Sequence, residues 1–253
     1  MTRFAGVLGA EAVKLRRSWA LLVALLAPLV QAGFLLIVVW FSDDRARQVG
    51  TGFQAWYQVN FNGWGHLFLP ITAALCASLV WSQEAEASAW KHLQAQPVPW
   101  RHHLLAKLGA VLLLVLLAQA LLMAALALGG LVLRAFVPAL GMGAFEAGRL
   151  LRYGAMSLLA GLPLLVLHGL LGARMPQGAA ALAVALGGTW ISTRLPETGW
   201  ACLWPWGLAT RLAHYGHGPE AAFPLAAWGA LGIAGLLLAV GLVLVRRPAE
   251  SGL

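Results

Sequence analysis

Apolar residues in this chain come in long runs rather than in alternation. Six windows carry no Asp, Glu, Lys or Arg: Ser18–Ser42, Gln48–Gln83, Leu108–Leu133, Tyr153–Ala173, Met175–Thr193 and Ala221–Val245. Crossing the roughly 30 Å of hydrocarbon in a bilayer takes about 20 apolar residues in a helix. Five of the windows each fit one crossing. Gln48–Gln83 is too long for one and too polar in its first half for two, so its second half, Trp64 to Ser82, makes the span. The pattern therefore predicts an all-α integral membrane protein. A single transmembrane domain over 1–253 holds six helices at about 18–41, 64–82, 107–133, 151–172, 178–194 and 223–245. Strands of a membrane barrel would alternate apolar and polar positions. The first window exceeds the apolar core of a signal peptide and lacks a small-residue cleavage site, so it reads as a retained helix.

Composition agrees with the pattern. Of 253 residues, 60% are hydrophobic and 10% charged, against about 25% charged in soluble domains. Soluble enzymes, disordered chains and coiled-coil rods are excluded. Two cysteines are too few for a disulfide framework or a cysteine-based zinc module. The net charge of +8 belongs to membrane borders rather than to nucleic acid. Six spans put both termini on one side. With that side cytoplasmic, ten of the 17 basic residues lie inside: Arg3, Lys14, Arg16, Arg17, Lys91, Arg101, Lys107, Arg174, Arg246 and Arg247. Lys14-Leu15-Arg16-Arg17 abuts the first span and Arg246-Arg247 closes the last, as the positive-inside rule expects.

The segments between spans carry the remaining information. In residues 1–17, Phe4, Val7, Leu8, Ala12 and Leu15 recur at helical spacing, with Arg3, Glu11, Lys14 and Arg17 read as largely off that stripe. This predicts a basic interfacial helix lying in the headgroup plane. Good helix formers run from Glu84 to Gln96, and Pro97 and Pro99 end the run. Glu86, Trp90, Leu93 and Pro97 share one face of that short helix, which suits docking on another protein or serves as a plain connector. Phe53, Trp56, Tyr57, Phe61 and Trp64 predict a short interfacial helix leading into the second span. Residues 195–222, with Trp200, Trp204 and Trp206, are too short for a domain. They have enough apolar character to re-enter the outer leaflet.

Chemistry is sparse. The sequence holds no phosphate loop, no H-E-x-x-H and no G-x-S-x-G elbow, so no catalytic residue, metal ligand or cofactor site is assigned in this chain. Gln31, Gln119 and His168 lie inside spans, either as interhelical glue or as a candidate substrate path. His92, His102 and His103 read as surface histidines near headgroups. Gly129-Gly130, Gly187-Gly188 and Gly229/Gly232/Gly235 mark expected close helix approach.

Two stretches carry a family resemblance. One is Glu11-x-x-Lys14-x-Arg16-Arg17-Ser18 before the first span. The other is Glu84-x5-Trp90-Lys91-x-Leu93-x3-Pro97-Val98, followed by Lys107 at the next helix. With the six-span layout they resemble the membrane subunit of a bacterial ABC exporter of the type-2 permease class. Within that class the chain is similar to lantibiotic-immunity and bacitracin-resistance permeases. The resemblance implies that residues 1–17 form an elbow helix, with Glu11, Lys14, Arg16 and Arg17 at the headgroups. It implies a coupling helix over 84–96, where Glu84, Glu86, Trp90, Lys91, Leu93 and Pro97 meet a separate ATPase subunit that holds ATP and magnesium. It also implies a second permease chain, identical or homologous, contact with membrane lipids, and residence in the bacterial cytoplasmic membrane. The alternatives are a membrane-embedded enzyme and a secondary carrier or scaffold subunit. A carrier typically has repeated halves, and residues 1–134 and 135–253 show no convincing repeat.

Overall fold

The computed structural model describes residues 2–41, 52–86, 99–175, 177–194, 204–214 and 222–244, and among them every regular element is helical. Helix α1 (Thr2–Leu15) is followed by α2 (Trp19–Phe41). Ser18 makes the joint between them. Its hydroxyl donates to the Leu15 carbonyl at 3.0 Å and accepts the Leu21 amide at 3.2 Å, closing one helix and capping the next. Next come α3 (Gly52–Gly63), a π-helical turn (Trp64–Phe68) and α4 (Leu69–Glu86), stacked end to end as one rod.

The π turn has a cause in the sequence. Pro70 has no amide hydrogen to give the His66 carbonyl four residues back, and its ring crowds that carbonyl. The ladder widens there, and the Leu69 amide reaches the Trp64 carbonyl, five residues back.

Helix α5 (Trp100–Phe136) follows; its 37 residues span about 55 Å at 1.5 Å per residue, longer than the hydrocarbon is thick. It stops at Val137, where Pro138 begins a 3-10 turn (Pro138–Leu140). After it come α6 (Ala147–Arg174), α7 (Gly178–Arg194), α8 (Pro205–His214) and α9 (Ala222–Leu244).

Contacts fix the path. Trp81 of α4 meets Trp100 of α5 and Gly172 of α6, and Arg174 donates to the Leu244 carbonyl at 3.0 Å, so these points share one end of the bundle. Trp40 meets Phe136, Phe53 meets Phe145, and Arg149 meets Gln54 at the opposite end. Helix α7 climbs from Gly178 beside Ser78, with Ala181 and Ala185 packed on Ala74. Trp204 donates to the Gly188 carbonyl at 3.2 Å and Trp206 sits on Gly188, so α8 starts part-way up α7. Helix α9 runs parallel to α6, with Ala230 near Met156 and Ala160, and Gly241 against Leu170.

Among the described residues, five helical stretches are long and apolar enough to cross a membrane: Trp19–Phe41, Gly52–Gln83, Trp100–Phe136, Ala147–Arg174 and Ala227–Leu244. The segment expected as the fifth of six spans is α7, a helix over the expected residues but only 17 long. The first and last expected spans are found to within one residue at each end, and the second, third and fourth are longer than expected, chiefly because α3 prolongs the second and Trp100–Ala106 the third.

One correction concerns α3. The helix forms as expected, but its aromatics are not interfacial. Phe53, Trp56, Tyr57, Phe61 and Trp64 are 0–2% exposed, packed among α2, α5 and α6. Glycine makes the room, since a Cβ on Gly130 would lie 2.5 Å from the Phe53 ring, and one on Gly129 would lie 3.1 Å from the Trp56 ring. Burying five aromatics stabilises the helix far more than an interfacial position would. Gly188 likewise admits the Trp206 ring. Gly187, Gly229, Gly232 and Gly235 have no described atom within 4 Å, so the expected close approach at those four is not made among the described residues.

Candidate functional site

Two clusters of hydrogen-bonded polar groups stand inside the bundle. The first surrounds the start of the π turn. Gln31 of α2 donates to the Asn60 carbonyl at 3.1 Å. Trp64 donates from Nε1 to Gln119 Oε1 of α5 at 2.9 Å, and Trp56 donates to the Leu126 carbonyl at 2.9 Å. A Cβ on Gly63 would fall 2.6 Å from Gln31 Nε2, so glycine lets that amide reach the helix. Gln31 and Gln119 therefore both grip the turn Asn60–Trp64 from opposite helices. His168, 1% exposed, does not join them. It lies on α6 with its ring perpendicular to that of Trp206, centroids 5.6 Å apart. The three residues named as a candidate path thus occupy two different contacts.

The second place is the bundle end where α1, α4 and α5 meet. Glu11 is 4% exposed, and the buried or half-buried face of α1 runs Phe4, Val7, Glu11, Leu15. The acid stands on the apolar stripe, and Ala12, expected there, is exposed. The reason is a partner on another helix. Lys107 of α5, 1% exposed, places Nζ 3.4 Å from Glu11 Oε2 and donates to the Val80 carbonyl of α4 at 2.9 Å. The same Nζ stands 5.1 Å from the centroid of the Trp81 ring. Glu11 Oε1 takes a second cation, Lys14, at 2.7 Å on the exposed side. Arg16 and Arg17 are exposed beyond it.

Aromatic packing extends this end. Trp81 and Trp100 lie 6.0 Å apart, Trp100 and His103 6.3 Å, and Phe4 and His102 5.7 Å. His103 is 6% exposed and so is a packed residue, contrary to its reading as a surface histidine. A Cβ on Gly172 would sit 2.6 Å from the Trp81 ring and 3.2 Å from the Ala77 carbonyl, which brings α6 against the same tryptophan. An ammonium in hydrocarbon is expensive unless paired and hydrogen-bonded. Lys107 meets that condition with a carboxylate, a carbonyl and an indole face. Removing either ionic partner alone from such a site typically costs about 3–5 kcal/mol.

This end also holds both roots of the connector singled out in the sequence. Glu84 and Glu86 close the last turn of α4, so they continue the second span's helix instead of opening a separate one. Their side chains, and Trp90, Lys91, Leu93, His92 and Pro97, lie outside the described residues. The described chain resumes at Pro99, and α5 begins at Trp100. The pair Glu11–Lys107 escaped the sequence reading, although each half gave a signal: an acid at helical spacing from Val7 and Leu15, and a lysine at the mouth of an apolar run.

A family model described as ABC-2 family transporter protein matches residues 7–177 of the chain. No curated protein matches it. The matched stretch includes Glu11, the π turn, the connector and Lys107.

Proposed function

The chain belongs to the ABC-2 family of transporter proteins, and from that membership we propose that it is the permease subunit of an exporter driven by a separate ATPase chain. Membership makes it a transport subunit rather than an enzyme, with an ATPase partner, in a membrane crossed several times. The finer reading is as follows. Two permease chains face each other, and an amphipathic substrate, a peptide, antibiotic or lipid-like molecule, moves through a cleft between them. Apolar helices with few charges offer walls suited to such a molecule. Both termini are cytoplasmic in a bacterial inner membrane, α1 is the elbow helix at the headgroups, and α7 counts as a crossing. Residues 195–222 re-enter from the outer side, which the start of α8 beside Gly188 supports.

Residues 84–97 dock on the ATPase. Closure of the ATPase pushes on Glu86, Trp90 and Leu93, and the push reaches the spans through the two roots of the connector. The family match over residues 7–177 carries the reading. The packing of Trp81 on Trp100 supports it, because a displacement of one root must displace the other. His168 packs on an indole ring, a contact that favours a structural role over the nucleophile pairing an enzyme would need.

Affinity purification of the chain from its native membranes tests the proposal. An ATPase with a phosphate loop should come along, and replacing Trp90 and Leu93 by charged residues should release it or uncouple its hydrolysis. Isolation of the wild-type chain free of any ATPase would refute it.

A further inference from the structure

We propose that Lys107 is a positioning residue that makes α1, the inner end of α4 and the start of α5 a single moving body. This rests on the transporter reading and adds to it which parts travel with the connector. One buried ammonium holds all three elements: Glu11 Oε2 at 3.4 Å on α1, the Val80 carbonyl at 2.9 Å on α4, and its own helix α5. The Trp81 ring, 5.1 Å away, shields the site and is itself packed on Trp100.

The arrangement differs from a surface tether. Glu11 and Lys107 are both nearly inaccessible, so sliding α1 along α5 would break a charge pair in the interior of the bundle. The rest of the α1 contact is apolar or aromatic, with Leu15 buried in the main core. Leu8 touches the position of Gly109, Phe4 meets His102, and Val13 is 67% exposed. A purely apolar α1 is free to slip in the headgroup plane. An ion pair on its buried face fixes its register to the helix that follows the connector. A push arriving between Glu86 and Trp100 then moves α1 with the second and third spans, and through Ser18 moves the start of α2 as well.

The test uses the full chain with its co-purified ATPase, in a background with Cys76 and Cys202 replaced by alanine. Spin labels are placed at Val13→Cys on α1 and Leu128→Cys on the exposed face of α5. Pulsed electron resonance is recorded without nucleotide and after ATP–vanadate trapping. With the ion pair intact, the distance should stay the same in both states. In E11Q/K107M, which removes both charges of the buried pair together and leaves Lys14 on the exposed side of α1, assembly should persist while the distance broadens and shifts on trapping. A distance that changes with nucleotide when the pair is intact overturns the proposal, as does one that stays constant in E11Q/K107M.

A second arm leaves the pair untouched and covers the case in which E11Q/K107M does not accumulate. Cross-linking L8C/G109C with a short bifunctional thiol reagent should leave ATP hydrolysis by the complex unchanged, since the two helices move together. Loss of hydrolysis on cross-linking overturns the proposal. If the wild-type chain brings no ATPase, the transporter reading fails separately. The label distribution of the chain alone still shows whether removing the pair frees α1, and an unchanged distribution there overturns the joint.

Discussion

Replacing Gln119 by leucine decides between the two roles open to that residue, interhelical glue and substrate path. In the structure the Gln119 amide oxygen accepts the Trp64 indole N–H at 2.9 Å, with both residues buried. A leucine removes the acceptor and leaves the N–H in an apolar interior. Losing a buried polar partner costs about 1–3 kcal/mol, whereas interhelical hydrogen bonds in membranes average about 0.6 kcal/mol and reach about 1.7. The smaller scale applies, because the unfolded chain in a bilayer or micelle also finds partners. The expected loss for Q119L is therefore about 0.6–1.7 kcal/mol. W64F should lose more, since it also leaves part of an indole-sized space empty at 0% exposure.

The decisive quantity is the coupling between the two changes. Unfolding of Q119L, W64F and the double variant in mixed micelles, followed by helical circular dichroism, gives a double-mutant cycle. A coupling near 1 kcal/mol, with hydrolysis by the complex retained in Q119L, is expected for glue. Coupling within about 0.3–0.5 kcal/mol of zero, the usual scatter for independent sites, refutes the hydrogen bond as a stabilising contact. Wild-type stability with transport abolished would instead put Gln119 on the substrate path.

The close approaches give further outcomes. Gly172→Val inserts a Cβ 2.6 Å from the Trp81 ring and 3.2 Å from a backbone oxygen that cannot retreat, so the amount of monodisperse protein after detergent extraction should fall sharply. Gly188→Val drives its Cβ into the Trp206 ring and should fail in the same assay, while Gly187→Val, with no described atom within 4 Å, should extract like wild type. Arg149→Gln loses its contacts to Gln54 at 2.6 Å and Glu146 at 2.8 Å. Because Arg149 and Glu146 are each about 40% exposed, the thermal midpoint should move little, and less still at high salt.

Much of the architecture was legible because one variable controls it. Absence of charge over 17 or more residues marks a membrane helix whatever its partners, and the α2, α5, α6, α7 and α9 segments were all located that way. What was not legible depends on facing partners. The tryptophans and phenylalanines of α3 resemble a headgroup belt in composition. Only the glycines at 129 and 130 on α5, far away in sequence, make them interior residues. His103 hides in the same way, because its burial is set by Trp100 and by the neighbouring helices. Pro70 marked the π turn locally, but a proline in an apolar run predicts a kink or a wide turn equally well.

Glu11 and Lys107 carry this point furthest. Taken singly, each is an ordinary border charge, and the positive-inside count treats Lys107 as one more cytoplasmic lysine. Taken together, they are 96 residues apart and contribute no net charge, so they say little about orientation. Holding α1 against the third span gives each buried charge an opposite partner, which offsets the cost of taking it out of water. A fully apolar α1 would bind the bilayer at least as well. The acid on its buried stripe therefore serves α5 rather than the lipid. The first helix is part of the apparatus around the connector, and its sequence resembles a membrane anchor only because the residue that distinguishes it points inward.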